Sequence, residues 1–228
     1  MASKVPKKIA IILDGNRRYG RKLGLQPWKG HEFGLRKFEE LFSWCMQLGI
    51  KELTLYCFST ENFNRARKEI NYLFGLFWQE FRKMKEGKGI FKEKVKINII
   101  GRIHMFPKKM QKAMFQVMQK TKNNKNLVVN LALAYGGRQE IIDAINKALK
   151  NKNVRKIDET LLTRNLYLKS EPDLLIRPGG EVRTSNFLTW QSVYSELVFM
   201  NKLWPEFTKQ DLIECIEEFN RRERRFGE

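Results

Sequence analysis

The chain has 228 residues, 42% of them hydrophobic, a length and composition that fit one folded domain and exclude a mainly disordered protein. Its formal charge of +19, from 44 lysines and arginines against 25 aspartates and glutamates, favours anionic partners: phosphorylated metabolites, an anionic membrane surface or nucleic acid. No apolar run approaches the roughly 20 residues of a membrane span, and three separated cysteines in apolar patterns fit a reduced, cytosolic protein.

Strand and helix patterns alternate along the chain. β-rich runs predict strands at 9–13, 53–58, 95–100, 127–135, 174–176 and 197–200. Helical spacing of apolar residues predicts helices at 31–48, 68–86, 107–122, 139–149 and 209–222, with Gly49 ending the first and Thr208 capping the last. This order predicts an α/β fold: a single domain over residues 1–228 with a mostly parallel central sheet flanked by helices.

The first predicted strand runs into a charged turn. Asp14 stands at the strand end, Gly15 permits close backbone approach, and Asn16, Arg17 and Arg18 follow. Ligands bind at the carboxyl ends of strands in open α/β sheets, and arginines beside a carboxylate suit a phosphorylated substrate held with Mg²⁺. A solvated turn capped by Asp14 accounts for the same residues without a site.

Two further segments bring polar residues to predicted helix starts. Ser59, Asn62 and Arg65 follow the second strand, and capping of the next helix explains part of this pattern. His31 stands at the start of its own helix. It either caps that helix or hydrogen-bonds a phosphate and moves a proton.

A second phosphate-binding pattern follows the strand at 174–176. Arg177 and Arg183 bracket two glycines, and Ser185 adds a hydroxyl group. Glu196 comes ten residues after Asn186. The sequence is equally consistent with an arginine partner for Glu196 and with a share in a metal site.

The helix predicted at 68–86 has a broad and aromatic apolar face. Most such faces pack on a sheet, and the alternative is that part of this one lines a hydrophobic channel. The face consists of Ile70, Leu73, Phe74, Phe77 and Phe81.

The ordered motifs together resemble the cis-prenyltransferase family, which contains the undecaprenyl and dehydrodolichyl diphosphate synthases. The resemblance runs from residue 8 to residue 227, and the form "DGNRRY" is closer to the archaeal and eukaryotic branch. It rests on "IAIILDGNRRYG", "GH" at 30–31, "LTLYCFSTENFNR", "AYGGR", "LLIRPGGEVRTSNFLTWQSVYSEL", "WPEF" and "RRERRFG".

The resemblance implies an enzyme that condenses isopentenyl diphosphate onto an allylic diphosphate, with each new double bond cis. It implies Mg²⁺ as the cofactor, a homodimer, and a hydrophobic tunnel for the growing chain. It is compatible with a cytoplasmic location, with peripheral membrane contact for product release, and with no nucleic-acid partner.

The resemblance also implies roles for individual residues. Asp14 is expected to be central to catalysis and to Mg²⁺ binding, with Glu196 completing the metal site from the other subunit. Arg225 and Gly227 are expected to reach across the dimer to the diphosphate. The expected allylic contacts are Gly15, Asn16, Arg18 and His31, with Asn62 and Arg65 near the reacting carbon; the isopentenyl diphosphate contacts are Arg177, Arg183 and Ser185; Arg17 and Ser59 are also assigned to substrate binding.

The chain departs from the family pattern at three positions. Pro27, Pro178 and Arg102 stand where arginine, threonine and aspartate are usual, which permits an altered substrate preference. The alternative functions are prenyl transfer to a non-isoprenoid acceptor, synthesis of a short-chain product, and a non-catalytic subunit of a partner prenyltransferase. A nucleic-acid-binding protein is favoured only by the charge, because no motif of that class is present.

Overall fold

A six-stranded, fully parallel sheet lies at the centre of the computed structural model, which describes residues 5–87 and 95–222. The strand order is β3-β4-β2-β1-β5-β6, so β1 lies between β2 and β5. Every neighbouring pair is parallel, as the alternation of strands and helices predicts. The strands are β1 (Lys8–Ile12), β2 (Glu52–Ser59), β3 (Val95–Ile100), β4 (Leu127–Tyr135), β5 (Leu174–Pro178) and β6 (Glu196–Met200).

Helices cover both faces of the sheet. Alternate residues of β1 point to opposite faces, so Ile9 and Ile11 join one buried cluster while Ala10 and Ile12 join another. The first cluster includes residues of α2, α3, α4 and α7, and a third cluster joins α5 to α6. The helices are α1 (Asn16–Lys22), α2 (Gly30–Gln47), α3 (Arg67–Glu86), α4 (Lys108–Thr121), α5 (Gly137–Leu149), α6 (Glu159–Asn165) and α7 (Lys209–Arg221).

The predicted strands and long helices are confirmed to within two residues at each end. Gly49 has a φ of 79°, as a residue just after a helix end requires, and Thr208 caps α7 through the backbone N–H of Asp211. The sequence analysis missed α1 and α6. Both have only seven residues, too short to show an apolar stripe of several turns.

Arg102 has a structural partner that accounts for one departure from the family pattern. Its guanidinium donates two hydrogen bonds to Asp143 of α5, at 2.8 and 2.9 Å, and Tyr167 donates to the same carboxylate. The pKa of Asp143 is lowered, chiefly by the hydrogen bonds from Arg102. Arg102 therefore fastens the loop after β3 to α5.

The cysteines and the helices also bear on the class of protein. Cys45, Cys57 and Cys215 are free thiols, as predicted. Among the described residues, no helix is both long and apolar enough to cross a bilayer.

Candidate active site

Three polar segments meet at one edge of the sheet because β1, β2 and β5 are neighbours and run in the same direction. Each strand delivers the residues that follow it to that edge: 14–18 after β1, 59–65 after β2 and 177–185 from the end of β5. The sequence prediction that these segments lie together is therefore met by the topology. Around them lies a cavity of about 210 Å³.

Asp14 is held between two arginines from different segments. Its Oδ2 lies 2.9 Å from Nη2 of the buried Arg177, and its Oδ1 lies 3.3 Å from Nη2 of Arg18. The backbone N–H of Gly15 donates to the same Oδ1 at 2.6 Å. Guanidinium groups also bind phosphate, so a phosphorylated ligand at this site would compete with Asp14 for Arg18 and Arg177.

Two glycines allow these segments to approach one another. Gly15 precedes α1 with a φ of 105°, a conformation that residues with a Cβ avoid. Gly179 has a φ of 110°, and a Cβ there would lie 2.9 Å from Nη2 of Arg18 and 3.0 Å from the Cβ of Asp14. The loop after β5 therefore contacts the loop after β1 through bare backbone.

Arg177 also organises the loop that follows it. Its Nη1 donates to Ser185 Oγ at 2.8 Å and to the carbonyl oxygen of Arg183. Ser185 has a φ of 50°, a strained conformation that places its hydroxyl against the cavity. The Arg183 side chain instead extends into solvent, 58% exposed, and pairs with Glu181 at 2.5 Å. The structure thus brings Arg177 and Ser185 together and leaves the Arg183 guanidinium outside the cavity.

Several buried polar atoms at the cavity have no hydrogen-bond partner among residues 5–87 and 95–222. They are Oδ1 of Asn16, Nε2 of His31 and Nε of Arg177, all on residues that line the cavity. Unpaired buried polar atoms cost stability, so they indicate a place for polar groups of a ligand. Burial lowers the pKa of His31, and its imidazole is therefore neutral at pH 7.

The segment after β2 forms a short 3-10 turn at Thr60–Asn64, in which Ser59 and Asn62 are a capping box. Asn62 Oδ1 accepts from the backbone N–H of Ser59 at 3.2 Å. Both residues and Arg65 line the cavity. Local capping and the site thus use the same side chains, as both interpretations of this segment predict.

Glu69 is a site residue that the sequence analysis missed. It is 3% exposed on α3, and its Oε1 lies 3.0 Å from Nη1 of Arg65, 3.7 Å from Nε of Arg17 and 3.9 Å from Nε2 of His31. Three predicted substrate-binding residues therefore surround one buried carboxylate. The spacing of Arg65 and Glu69, four residues apart at a helix start, was the available signal.

We expect Glu69→Gln to lower the free energy of unfolding by about 1.5–3 kcal/mol at pH 7, because it removes charged hydrogen bonding to Arg65. The pKa of Glu69 is lowered from 4.5, chiefly by its interaction with His31 and also by Arg65 and Arg17. The folded protein therefore releases this proton more easily than the unfolded chain. The stabilisation is present above pH 4.5 and is lost as the pH falls through the lowered pKa.

Denaturant unfolding of the wild type and of Glu69→Gln measures this difference in unfolding free energy. The measurements run from about pH 3 to about pH 8, a range that includes the titration of carboxylates. Glu80→Gln is the control, because Glu80 forms a surface pair with Lys83 and should change stability by about 0.5 kcal/mol or less. A Glu69→Gln effect that is constant with pH would contradict an ionised Glu69 in the cluster.

Below the polar edge, the cavity wall is apolar and lies between α2 and α3. Leu73, Leu76 and Phe77 of α3 line it, while Phe74 packs behind them with its ring 5.0 Å from that of Phe106. Of the apolar face predicted on α3, Leu73 and Phe77 line this cavity, whereas Phe81 is fully within the core, so the channel itself stays a prediction. The apolar lining residues are Ile12, Leu13, Leu35, Phe38, Leu73, Leu76, Phe77 and Trp204.

Glu196 lies away from this constellation. Glu196 begins β6 and is level with Leu174, which is itself level with Ile9. Asp14 lies five residues beyond Ile9, so the two carboxylates are separated by roughly 15 Å along the strands. Within the chain Glu196 instead pairs with Arg222 at 3.2 Å. Arg225 and Gly227 lie outside the described residues.

Comparisons with known proteins agree on one family. A family model described as "Putative undecaprenyl diphosphate synthase" matches residues 12–227. Two relatives are named "Tritrans,polycis-undecaprenyl-diphosphate synthase (geranylgeranyl-diphosphate specific)": one from Methanopyrus kandleri, 43% identical over 98% of this chain and 85% of its own, and one from Pyrococcus horikoshii, 46% identical over 98% and 87%. The crystal structure of lavandulyl diphosphate synthase from Lavandula x intermedia in complex with dimethylallyl diphosphate matches with a TM-score of 0.92 and 34% identity, over 98% of this chain and 99% of that one.

Proposed function

Since the chain belongs to the undecaprenyl diphosphate synthase family, whose members are cis-prenyltransferases, we propose that Asp14 divides its active site into two diphosphate positions. The enzyme condenses isopentenyl diphosphate onto an allylic diphosphate, as the motifs predict. The observation that carries the proposal is the placement of Asp14 between Arg18 and Arg177 at the mouth of an apolar cavity. Arg18 belongs to the position of the allylic diphosphate, and Arg177 belongs to the position of isopentenyl diphosphate.

The allylic diphosphate position lies on the α1 side of Asp14. The start of α1 offers the side chains of Asn16, Arg17 and Arg18. His31, at the start of α2, contributes Nε2, which has no hydrogen-bond partner in the described part of the chain. Guanidinium groups and N–H donors suit diphosphate oxygens, and the allylic chain then extends into the apolar cavity.

The isopentenyl diphosphate position lies on the β5 side. Arg177 donates to Ser185, and its Nε has no hydrogen-bond partner within the described ranges. Arg183 is close in sequence, and its exposed guanidinium has only the surface residue Glu181 as an ion-pair partner among residues 5–87 and 95–222. A bound diphosphate offers Arg183 a stronger pair than Glu181 does.

The reaction breaks the C–O bond of the allylic diphosphate and forms a C–C bond. The double bond of isopentenyl diphosphate supplies the electron pair, and the departing diphosphate takes the pair of the broken bond. Arginines stabilise the charge on that leaving group, while the apolar wall excludes water from the developing cation. One proton then leaves the new product, and Asp14, His31 and the departing diphosphate are the candidate acceptors.

Mg²⁺ is the cofactor proposed for this site. Among the residues described, no group of three or more histidines, cysteines or carboxylates forms a metal site. Mg²⁺ usually binds through one or two carboxylates together with substrate phosphates, so Asp14 beside two diphosphate positions is a fitting donor set. When bound, the ion neutralises charge on the departing diphosphate.

The archaeal relatives suggest the primer and the product. Their names specify geranylgeranyl diphosphate and undecaprenyl diphosphate, and we propose both for this enzyme. Leu35, Phe38 and Leu76 separate the cavity from a wider groove of about 720 Å³ between α2 and α3. Displacement of these side chains gives the growing chain a path outward.

Product sizing tests the proposal directly. Purified protein is incubated with isopentenyl diphosphate and a panel of allylic primers, with Mg²⁺ or with a chelator. We expect long products from geranylgeranyl diphosphate in Mg²⁺ and none with the chelator. Short products from every primer would instead support the short-chain alternative, and robust turnover without metal would reject Mg²⁺.

We expect Phe77→Ala to lengthen the products, because the Phe77 side chain lines the cavity and its removal leaves more room for the growing chain. Phe74→Ala is the matched control on the same helix, since Phe74 faces Phe106 instead. It should lower the free energy of unfolding by about 2–3 kcal/mol and leave product length unchanged. Product sizing beside thermal melts separates the two effects, and equal product lengths from both variants would reject the assigned wall.

Residues 1–228 are proposed to form one catalytic domain that acts as a cytoplasmic homodimer. Free cysteines fit the reducing compartment. A dimer gives Glu196 and the segment with Arg225 and Gly227 a route to a neighbouring active site, which Glu196 lacks within its own chain. Contact with a membrane surface is proposed as well, because the product is an apolar chain that must leave the cavity for lipid.

A further inference from the structure

The surface of α4 has a charge pattern that the condensation reaction does not use. From residue 95 to residue 139 the chain contains nine lysines and arginines and no aspartate or glutamate. The helix α4 lies in the middle of this stretch. A run of 45 residues without an acidic side chain is unusual in a chain that has 25 aspartates and glutamates.

The exposed face of α4 is a single stripe. At 100° per residue, positions 108, 112, 115, 119 and 122 fall within about 80° of one another. They carry Lys108, Lys112, Phe115, Gln119 and Lys122, and all five are exposed. The opposite face, with Met110, Ala113, Met114, Val117 and Thr121, is buried against the rest of the fold.

The stripe has free charges around an exposed aromatic ring. Phe115 is 58% exposed between Lys112 and Gln119, a large apolar group that the fold leaves in water. Lys108, Lys112 and Lys122 have no ion-pair partner among the described residues. Met105, 39% exposed, extends the apolar part at the start of the helix.

We propose that this stripe of α4, from Lys108 to Lys122, docks the enzyme on an anionic lipid bilayer. The inference rests on the proposed function, in which the product leaves for a lipid phase. Basic side chains meet the anionic headgroups, and Phe115 inserts at the interface between headgroups and acyl chains. A nucleic acid would also pair with the lysines. Proteins that bind single strands stack successive bases on several aromatic side chains, whereas the helical stripe contains a single phenylalanine.

Docking through α4 also places the cavity wall near the lipid. The helices α3 and α4 lie side by side: Lys109 Nζ stacks over the ring of Trp78 at 4.4 Å, and Lys120 Nζ donates to the carbonyl oxygen of Lys85. The helix α3 supplies Leu73, Leu76 and Phe77 of the cavity. A bilayer under α4 therefore lies one helix away from the growing chain.

Vesicle co-sedimentation of the full chain tests the proposal. The probes are vesicles of phosphatidylcholine alone and of phosphatidylcholine mixed with phosphatidylglycerol. We expect binding only to the mixed vesicles, weakened by salt. The variant Lys108→Gln, Lys112→Gln, Lys122→Gln should bind on the order of 100-fold more weakly, at about five-fold for each lysine removed from the surface. Phe115→Ser should weaken binding by roughly five-fold or more.

Matched variants on α5 and the loop after it are the controls. Lys150→Gln, Lys152→Gln, Lys156→Gln removes the same charge, and Leu149→Ser removes an apolar side chain that is 55% exposed. These should bind as wild type does. Equal loss in the two sets would show that net charge alone drives binding and would overturn the α4 assignment.

Two parallel measurements separate the other outcomes. A condensation assay in detergent should give wild-type turnover for every one of these variants, so a failure of the catalytic proposal is visible independently. Binding of an RNA homopolymer that depends on the three α4 lysines, without vesicle binding, would replace the bilayer by a nucleic acid as the occupant. Thermal melts confirm that each variant is folded.

Discussion

Asp14→Ala should lower turnover by roughly 10²-fold or more while the protein stays folded, the scale observed when a group that stabilises developing charge is removed. Asp14 pairs with both arginines that the proposal assigns to the two diphosphates, Arg18 and Arg177. Its loss removes the proposed Mg²⁺ ligand and leaves two guanidinium groups without their carboxylate. Steady-state rates with saturating primer measure the effect.

Loss of the Arg177 partner also costs stability, and a control must separate this from catalysis. Asp143→Ala is suitable, because Asp143 pairs with Arg102 at 2.8 and 2.9 Å, has the same 29% side-chain exposure as Asp14, and does not line the cavity. Both variants should lose about 1.5–3 kcal/mol of unfolding free energy. Only Asp14→Ala should lose turnover. Turnover near the wild-type value in Asp14→Ala would reject Asp14 as the central residue.

The second large effect concerns the proposed dimer. We expect Arg225→Ala homodimers and Asp14→Ala homodimers each to be nearly inactive. If Arg225 serves the partner's active site, a mixed dimer has one site that lacks both groups and one site that is intact. Random exchange makes about half of the dimers mixed, so roughly a quarter of wild-type activity should return.

Native mass measurement of the mixture is the control, because it shows directly whether subunits have exchanged. Exchange without recovery of activity would mean that Arg225 acts within its own subunit or not at all. Glu196→Gln mixed with Asp14→Ala extends the experiment to the proposed metal ligand. Glu196 and Asp14 of one chain lie at opposite ends of the strands. Recovery of activity in this mixture would therefore require that Glu196 serves the active site of the partner subunit.

Local pattern was sufficient for much of the fold and for the polar segments that meet at the candidate site. Alternation of apolar strands with amphipathic helices predicts a parallel sheet, because parallel strands need crossover connections. In such sheets the residues after each strand meet at one edge. Asp14, Asn62 and Arg177 could therefore be placed together although 163 positions separate the first from the last.

The rotation of α3 and the distances across the sheet were decided by tertiary packing. Phe74 and Phe77 lie on the same predicted apolar face, yet only Phe77 lines the cavity, because Phe106 and α4 take up the Phe74 side. Glu69 gave no signal beyond a helical spacing from Arg65, and its burial follows from the arrival of Arg17 and His31 from other elements.

For Glu196 and for α4, too, the sequence names the residues and the tertiary structure decides where they lie. A motif names Glu196 as a candidate ligand, but strand register places it at the far edge from Asp14, where it pairs with Arg222. The composition of residues 95–139 was visible in the sequence, whereas exposure of Phe115 depends on which side of α4 packs inward. Periodicity is a local property of the chain, so sequence determined the elements and their order; contacts between distant residues depend on register and helix rotation, which only the packed structure fixes.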